Sequence, residues 1–394
     1  MSYEVVIVGG GLGGLTAAAL LSARGLDVCL LERGSQVGGC AAPFESAGHR
    51  FERGAGLYAS WQPGGIHERV FAELPVAPPE VRRAAPSAYV VRLPDKTEVR
   101  VGLAGDEHLA EVRAAFPECA GEAERFYVEA AEVAGALERA AARLPALATA
   151  SKLQRVMLAA REPLLAPRVL ASLEHTAARH LAGTSARFRR FVDAQLQIFA
   201  QVPSERCAYP YAAVALSQPT RGMYAMRGGA GALAASLVES ITKSGGTVRL
   251  NTTALRLSFD ESGRATGVDL LSGETVGATR AVVSNLTVWD TYGKLIGLSR
   301  SPVEARSRLK RLRGWGAYQM FLSADEEALA RLPTERILAL EDWQEGREFD
   351  PEDALLMFSA APAWDSRAPA GRRAVTVSTF TEAEPWFSFH EDEG

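Results

Sequence analysis

The sequence predicts an α/β fold in which a largely parallel sheet is interrupted by an inserted α+β domain. Short apolar strands alternate with helices at the start of the chain and again near residues 230–290. Between these stretches, residues 107–200 are rich in Ala, Leu and Arg and are divided by prolines, which is typical of successive helices. We therefore expect the two α/β stretches to build one sheet and the helical region to be an insertion. Other strands are expected within residues 88–102 as a pair, over 254–276 as a meander, over Ala281–Ser284, and near 316–323, 354–360 and 374–380.

Composition narrows the class of protein. The 394 residues are 47% hydrophobic and carry a formal net charge of −4, which is ordinary for a globular enzyme and gives no support to a nucleic-acid partner. The four cysteines form no Cys-x-x-Cys pair and the histidines form no i, i+4 pair, so we expect neither a disulfide framework nor a metal site. No apolar stretch approaches the ~20 residues of a membrane span. The pattern predicts a reduced, cytoplasmic compartment.

The first α/β unit is compact. Val5–Val8 reads as a buried strand, Leu12–Arg24 as a helix that ends at Gly25, and Asp27–Leu31 as a second buried strand. A glycine turn joins the first strand to the helix. This order predicts a βαβ unit of the kind that binds nucleotides.

The glycine turn contains Gly9-x-Gly11-x-x-Gly14, with Gly13 inside it. Gly9 permits a tight turn, Gly11 allows the main chain to approach a diphosphate, and Gly14 allows the helix to pack close to the strand. Glu32 closes the second strand, where its carboxylate can accept hydrogen bonds from both hydroxyls of an adenosine ribose. These residues predict a Rossmann-like site for a dinucleotide.

A longer pattern identifies which dinucleotide. Glu32-Arg33 is followed by Gly38-Gly39 and then by a Gly…Phe-acid-x-Gly segment that contains Glu52. This pattern resembles flavoproteins of the amine oxidase and carotenoid desaturase class, although that class usually has Asp at the position of Glu52. The resemblance implies an FAD-binding domain of the amine-oxidase and glutathione-reductase type.

By the same resemblance, further residues are expected to hold FAD. A second glycine loop would follow the diphosphate and the ribityl chain, and a later strand would offer backbone groups to the adenine. The cofactor-binding residues expected in this way are Gly9, Gly11, Gly13, Gly14, Glu32, Arg33, Gly38, Gly39 and Ala254. We interpret Cys40 as a small residue that fills the second loop.

Other stretches resemble one branch of this class. Phe191–Gln197 and Gln218–Tyr224 are similar to bacterial carotenoid 3′,4′-desaturases, and Tyr224–Gly229 and Ala281–Asn285 resemble the phytoene desaturase family as a whole. The resemblance implies an FAD-dependent enzyme that dehydrogenates an apolar polyene, a carotenoid, by hydride transfer to the flavin. It names no catalytic acid or base. Phytoene desaturase and carotene cis–trans isomerase stay open, and a flavin amine oxidase or a non-enzymatic prenyl-binding escort protein is a more distant alternative.

A second glycine turn, Gly229-x-Gly231-x-x-Ala234, resembles another dinucleotide motif. The strand after it ends in Asn251-Thr252, without an acid for a ribose, and the sequence shows no convincing strand before it. We therefore expect no NAD(P)H site, and expect oxygen or a quinone to accept the electrons.

The predicted domains alternate along the chain. Residues 1–87 and 226–298 would form the FAD-binding domain, and residues 88–225 and 299–394 the substrate domain. The family's closing strand, with its Gly-Asp, has no counterpart after Ser378. We expect from this a chain that lacks the final FAD-binding segment.

The helical insertion is strongly basic. Residues 139–190 contain ten Lys or Arg and two acids, with apolar residues between them. Basic amphipathic helices of this kind favour contact with an anionic membrane surface. The sequence therefore suggests a peripheral protein at the inner face of the membrane, with solvated basic helices as the alternative.

Overall fold

The computed structural model describes residues 1–54, 56–143, 151, 157, 175–311, 314–341 and 349–383. In chain order the strands are β1 (Ser2–Val8), β2 (Val28–Leu31), β3 (Phe44–Ser46), β4 (His49–Phe51), β5 (Tyr58–Ala59), β6 (Val81–Arg83), β7 (Tyr89–Arg92), β8 (Glu98–Val101), β9 (Met223–Met226), β10 (Thr247–Arg249), β11 (Ala254–Phe259), β12 (Ala265–Leu270), β13 (Thr275–Ser284), β14 (Trp315–Asp325), β15 (Arg336–Leu340), β16 (Leu355–Ala360) and β17 (Arg372–Glu382).

Along the chain, most of the α-helices lie between β2 and β10. In chain order they are α1 (Leu12–Ala23), α2 (Ile66–Phe71), α3 (Gly105–Ala115), α4 (Ala120–Arg143), α5 (Ala177–His180), α6 (Ala186–Ala200), α7 (Tyr209–Arg221), α8 (Gly229–Lys243), α9 (Val303–Leu309), α10 (Glu326–Leu329) and α11 (Pro351–Ala354).

The first sheet has six strands in the order β10-β2-β1-β13-β12-β11. Strands β10, β2, β1 and β13 are parallel, and β12 and β11 extend the sheet antiparallel. Helices α1 and α8 bury apolar residues such as Leu15 and Leu237 in one core with Val5 and Leu30 of the sheet. Residues separated by the whole helical region thus share one sheet, and the predicted α/β fold with an insertion is confirmed.

Strand β13 differs from its prediction. The sequence suggested a meander to residue 276 and a separate strand over Ala281–Ser284, whereas Thr275–Ser284 is one strand. Its residues Thr275–Gly277 pair antiparallel with β12, and its residues from Gly277 to Ser284 pair parallel with β1. The two parts of the strand carry different side-chain patterns because their neighbouring strands differ. The sequence therefore suggested two strands where there is one.

The second sheet has the order β14-β17-β16-β15-β7-β8. The sequence predicted five of these strands and missed β15, because Arg336–Leu340 is a short, mostly buried run without the polar–apolar alternation of a strand. One face of this sheet shares a core with helices α4, α6 and α7, in which Phe126, Phe188 and Tyr209 are buried.

The origins of the strands in each sheet bear on domain organisation. Strands of the first sheet come from residues 2–31 and 247–284, and strands of the second from residues 89–101 and 315–382. The exact domain boundaries stay a prediction.

The described residues test the expectations about a membrane and a metal only in part. Residues 144–150, 152–156 and 158–174, the centre of the basic segment, lie outside the described residues. Among the described helices, none combines the length and apolarity needed to cross a bilayer. Within the same described ranges, no group of His, Cys, Asp and Glu is arranged to hold a metal ion.

Candidate cofactor site

The candidate site lies where three parallel strands of the first sheet end. The turn Gly9–Gly14 follows β1, Glu32 follows β2, and Asn285 follows β13. Since these strands are parallel neighbours, their carboxyl ends meet at one edge. Ligands of open α/β sheets bind outside the carboxyl ends of the strands.

The glycine turn has the backbone shape that its sequence predicts. Gly9 adopts φ +102°, which a residue with a side chain rarely adopts, and its N–H donates to Leu31 O at 2.9 Å. An added Cβ on Gly14 would collide with the carbonyl oxygen of Gly9. Close packing of α1 against the end of β1 therefore depends on Gly14.

Glu32 is tied to the main chain on both sides. One carboxylate oxygen accepts the N–H of Gly10 at 2.7 Å, and the other accepts the N–H of Gly34 at 2.7 Å. A carboxylate has about four lone-pair positions, so each oxygen can still accept a ribose hydroxyl. Gly10, which the sequence analysis left without a role, is needed because a Cβ there would lie 3.0 Å from Glu32 Oε2.

The second glycine loop packs directly on the first turn. The N–H of Gly38 donates to Gly10 O at 2.8 Å, and Gly38 adopts φ +113°. A Cβ on Gly39 would lie 3.1 Å from the Cα of Gly11. Two loops separated by a helix and a strand thus form one cradle of main chain with little side-chain bulk. Such a surface fits the diphosphate of a dinucleotide.

Arg33 and Ala254 lie at the border of this cradle. Arg33 is exposed, and its charge contributes, after the larger effect of Lys294, to the lowered pKa of Asp290. Ala254 begins β11 and is half-buried. The loop before it is tied to Glu32, since the N–H of Thr252 donates to Glu32 O at 2.8 Å. Contact between these residues and the cofactor stays a prediction.

Asn285 is a site residue that the sequence analysis did not select. It lies one residue past β13, and its side chain covers the glycine turn, with its carboxamide near Gly11 and Gly13. The only sequence signal was its place at the end of the Ala281–Asn285 stretch.

The second glycine turn has a different role. The sequence analysis found no strand before Gly229, and this was wrong, because β9 ends at Met226. However, β9 pairs with β5 and β6 in a small separate sheet. Glu52 occupies the start of α8, where its carboxylate accepts the N–H of Ala230 at 3.0 Å. The helix N-terminus that would bind a second diphosphate is thus already bound to a carboxylate.

Glu52 is also the centre of a buried polar cluster. Its carboxylate accepts hydrogen bonds from the Tyr58 hydroxyl and from the guanidinium of Arg367, which also pairs with Asp365. Burial, followed by the nearby Glu52 charge, raises the pKa of Tyr58 far above its usual range. Burial alone would lower the pKa of Arg367, but Glu52 and Asp365 outweigh it and raise that pKa.

A small cleft of about 20 Å³ lies beside this cluster, lined by Gly54, Gly56 and residues of the second sheet. Its lining is mixed, with Phe51, Pro362 and alanines beside charged groups.

The fold and the cradle define a dinucleotide-binding α/β protein. The family model described as "flavin containing amine oxidoreductase" matches residues 12–393. The chain belongs to this family, and its cofactor is a flavin.

The curated relatives are about 25% identical in sequence to this chain. Prolycopene isomerase 1 of an Oncidium hybrid cultivar is 25% identical over 77% of this chain and 52% of its own length. Prolycopene isomerase of Arabidopsis thaliana is 23% identical over 98% and 64%. Human all-trans-retinol 13,14-reductase is 24% identical over 98% and 66%. The chain spans about half to two thirds of the relatives that it matches.

Solved structures agree on the fold. An oxidoreductase from Methanosarcina mazei has a TM-score of 0.64 at 16% identity, over 100% of this chain and 82% of that one. Putrescine oxidase bound to putrescine has a TM-score of 0.62 at 16% identity, over 99% and 78%. A Rab GDI from Plasmodium falciparum has a TM-score of 0.57 at 13% identity, over 97% and 83%. At these identities, likeness establishes the fold alone.

Proposed function

We propose that this protein is an FAD-dependent oxidoreductase that dehydrogenates an apolar polyene of the carotenoid class, with a 3′,4′-desaturation as the specific form. The observation that carries the proposal is the cradle in which Glu32 is bound to the glycine turn by Gly10. The relatives are named for prolycopene and all-trans-retinol, which are both polyenes.

FAD is the flavin that this site suits. FMN has neither an adenosine ribose nor a diphosphate. Glu32 at the end of β2 and the backbone N–H groups of Gly9–Gly14 and Gly38–Gly39 would have no partner in FMN. The cofactor-binding roles of Arg33 and Ala254 are part of this proposal.

The flavin, when bound, accepts a hydride, which carries both of the electrons removed from the substrate, and the second hydrogen leaves as a proton to solvent. Dehydrogenation removes two hydrogens from adjacent carbons of the polyene, one with its electron pair and one as a proton, and a carbon–carbon single bond becomes double. The chain's own part is orientation. The glycine loops hold the diphosphate, Glu32 holds the ribose, and the Glu52–Arg367 pair fixes the cleft beside the Gly54–Gly56 loop.

Oxygen or a quinone would then take the electrons. Support comes from the start of α8, where Glu52 occupies the position that a second dinucleotide would need. An anionic diphosphate next to a buried carboxylate would be strongly disfavoured.

The second candidate is a carotene cis–trans isomerase. The prolycopene isomerases among the relatives favour it, and it would use the same cradle without net oxidation of the substrate. An amine oxidase is supported by the description of the family and by fold likeness to putrescine oxidase, and a prenyl-binding escort by fold likeness alone.

One experiment separates these functions. The purified chain is supplied with FAD and with acyclic carotenoids in liposomes, and products are identified by mass and absorption. Loss of two hydrogens supports the desaturase, and an unchanged mass with altered absorption supports the isomerase. Peroxide formed from putrescine would support an amine oxidase. A chain that binds no FAD and returns the polyene unchanged would contradict the proposal.

We further propose that the protein works at the inner face of a membrane, in the cytoplasm. The support is the basic composition of residues 139–190 and the apolar substrate. Co-flotation with anionic liposomes, but not with neutral ones, is the expected result. Equal failure to float with both would count against membrane contact.

A further inference from the structure

The side chain of Asn285 lies against the glycine turn more closely than the motif itself explains. Its Nδ2 atom lies 2.8 Å from the position of a Cβ on Gly11, and its Oδ1 atom lies 2.7 Å from that of a Cβ on Gly13. Its own Cβ lies 3.1 Å from that of a Cβ on Gly14. The carboxamide therefore fills the notch that these three glycines leave open.

This contact explains why position 13 is also a glycine. The Gly-x-Gly-x-x-Gly pattern assigns roles to Gly9, Gly11 and Gly14 but not to Gly13. In this chain, a side chain at position 13 would have to displace the carboxamide of Asn285. The turn and the residue after β13 are therefore fitted to each other.

The electrostatics of the notch favour an anion. Helix α1 begins at Leu12, its N-cap residue is Gly11, and its first turn contains no acid. The backbone N–H groups at the start of a helix carry a partial positive charge and bind anions. An aspartate at position 285 would suit this helix end if no ligand came there, whereas a neutral carboxamide leaves the charge to a ligand and adds its own N–H donors.

We propose that Asn285 is a positioning residue for the diphosphate of the cofactor, and that its carboxamide completes the donors of the glycine turn from the neighbouring strand. The inference rests on the proposed binding of FAD. It adds to the predicted motif a residue that lies 271 positions after Gly14 in the sequence, by the difference of the two residue numbers.

The test compares Asn285→Asp with Asn285→Ala and measures FAD affinity by quenching of flavin fluorescence. Loss of a hydrogen bond to a charged group should weaken binding by about 10-fold in Asn285→Ala. Asn285→Asp keeps the shape but adds a negative charge, so a larger loss, on the order of 100-fold, is expected, and it should shrink at high salt.

Two controls separate this role from a structural one. The melting temperature without FAD should fall no further in Asn285→Asp than in Asn285→Ala, since both lose the amide hydrogen bond to Gly9 O at 3.5 Å whereas the carboxylate suits the start of α1. Gln201→Glu, at the exposed end of α6, makes the same change from a neutral amide to a carboxylate outside the cradle and should alter FAD affinity by less than about twofold.

Gly13→Ala provides an independent check. Alone it should weaken FAD binding because its Cβ displaces the carboxamide, and in the Asn285→Ala background it should cost little more. Asn285→Asp and Asn285→Ala that bind FAD within about twofold of the wild type would overturn the inference. Wild-type protein that binds no FAD would overturn the proposed function as well.

Discussion

Glu52 and Arg367 lie 315 positions apart in the sequence and form a buried ion pair, with side-chain exposures of 11% and 4%. Arg367 also donates to the carbonyl oxygen of Met226 at 2.7 Å, and Glu52 accepts from Ala230. The pair therefore joins the end of β4, the start of α8 and the loop before β17, which together surround the cleft.

Breaking this pair should destabilise the protein strongly. Glu52→Gln leaves the guanidinium of Arg367 with Asp365 as its remaining carboxylate partner, and loss of one partner of a buried pair costs up to about 3–5 kcal/mol. The measurement is the free energy of unfolding in urea. Glu98→Gln, which breaks the exposed pair with Arg92, is the matched control and should cost less than about 1 kcal/mol. Equal effects of the two changes would show that the Glu52 pair contributes no more than a surface pair.

Gly14→Ala should disrupt the cradle. Its Cβ would collide with the carbonyl oxygen of Gly9, so α1 must move away from β1, at a cost of about 1–3 kcal/mol. Gly121→Ala in α4 meets no atom within 4 Å, and its stability should stay the same or rise by up to about 1 kcal/mol. Thermal unfolding measures both. If Gly14→Ala melts at the wild-type temperature, the close approach of helix and strand is not needed.

Glu32→Ala should weaken FAD binding by about 10- to 100-fold, because it removes a charged acceptor for the ribose hydroxyls and also releases Gly10 and Gly34. Riboflavin, which lacks that ribose, should bind to both forms alike. Equilibrium titration of each flavin measures the difference, with Glu45→Ala on exposed β3 as the control. An equal loss of affinity for both flavins would mean that Glu32 only supports the fold.

Two buried groups should make the stability of the protein depend on pH in opposite directions. Burial raises the pKa of Asp193 to about 6 from 3.8, so the folded state keeps a proton that the unfolded state has released. Its contribution to stability therefore falls as pH rises from about 4 to 6. Burial lowers the pKa of His108 to about 4 from 6.5, so its contribution is complete above pH 6.5 and is lost as pH falls to about 4.

Variants at these two positions should reveal the two opposite pH dependences of stability. Asn at position 193 keeps an acceptor for the N–H of Ser204 but does not titrate, so Asp193→Asn should gain stability over the wild type, on the order of 2–3 kcal/mol, between pH 4 and 7. His108→Phe should instead reduce acid sensitivity over the same range. Urea unfolding at several pH values measures both effects. Parallel curves for wild type and variants would contradict the assigned pKa directions.

One thiol should react quickly in the native protein. Cys40 is exposed, whereas the other three cysteines are buried, and burial raises the pKa of Cys29 and of Cys207 to about 11. Thiolate is the reactive form, so a disulfide reagent at neutral pH should label Cys40 first and all four thiols after denaturation. Cys40→Ser should show no fast phase. A fast phase in that variant would mean that a buried thiol becomes accessible by local opening.

Local chemistry made much of the fold predictable. The β-branched run at Val5–Val8, the glycines after it and Glu32 at the end of the second strand each depend on neighbours close in sequence. Short-range sterics and hydrogen bonding set such units, and the βαβ unit was therefore readable in order. The strand Arg336–Leu340 was not, because five mostly buried residues show no alternation and are equally compatible with a turn of helix.

The sequence by itself determined the class of site: a turn open enough for a diphosphate, and an acid placed for a ribose. The packing of Asn285 against this turn, the position of Glu52 at the start of α8 and its pairing with Arg367 became visible in the folded chain. These contacts join residues that are far apart in sequence. The backbone conformations open to a glycine depend on that residue alone. The partner of a buried charge, or the side chain that fills a notch, depends on which remote segments the sheets bring together.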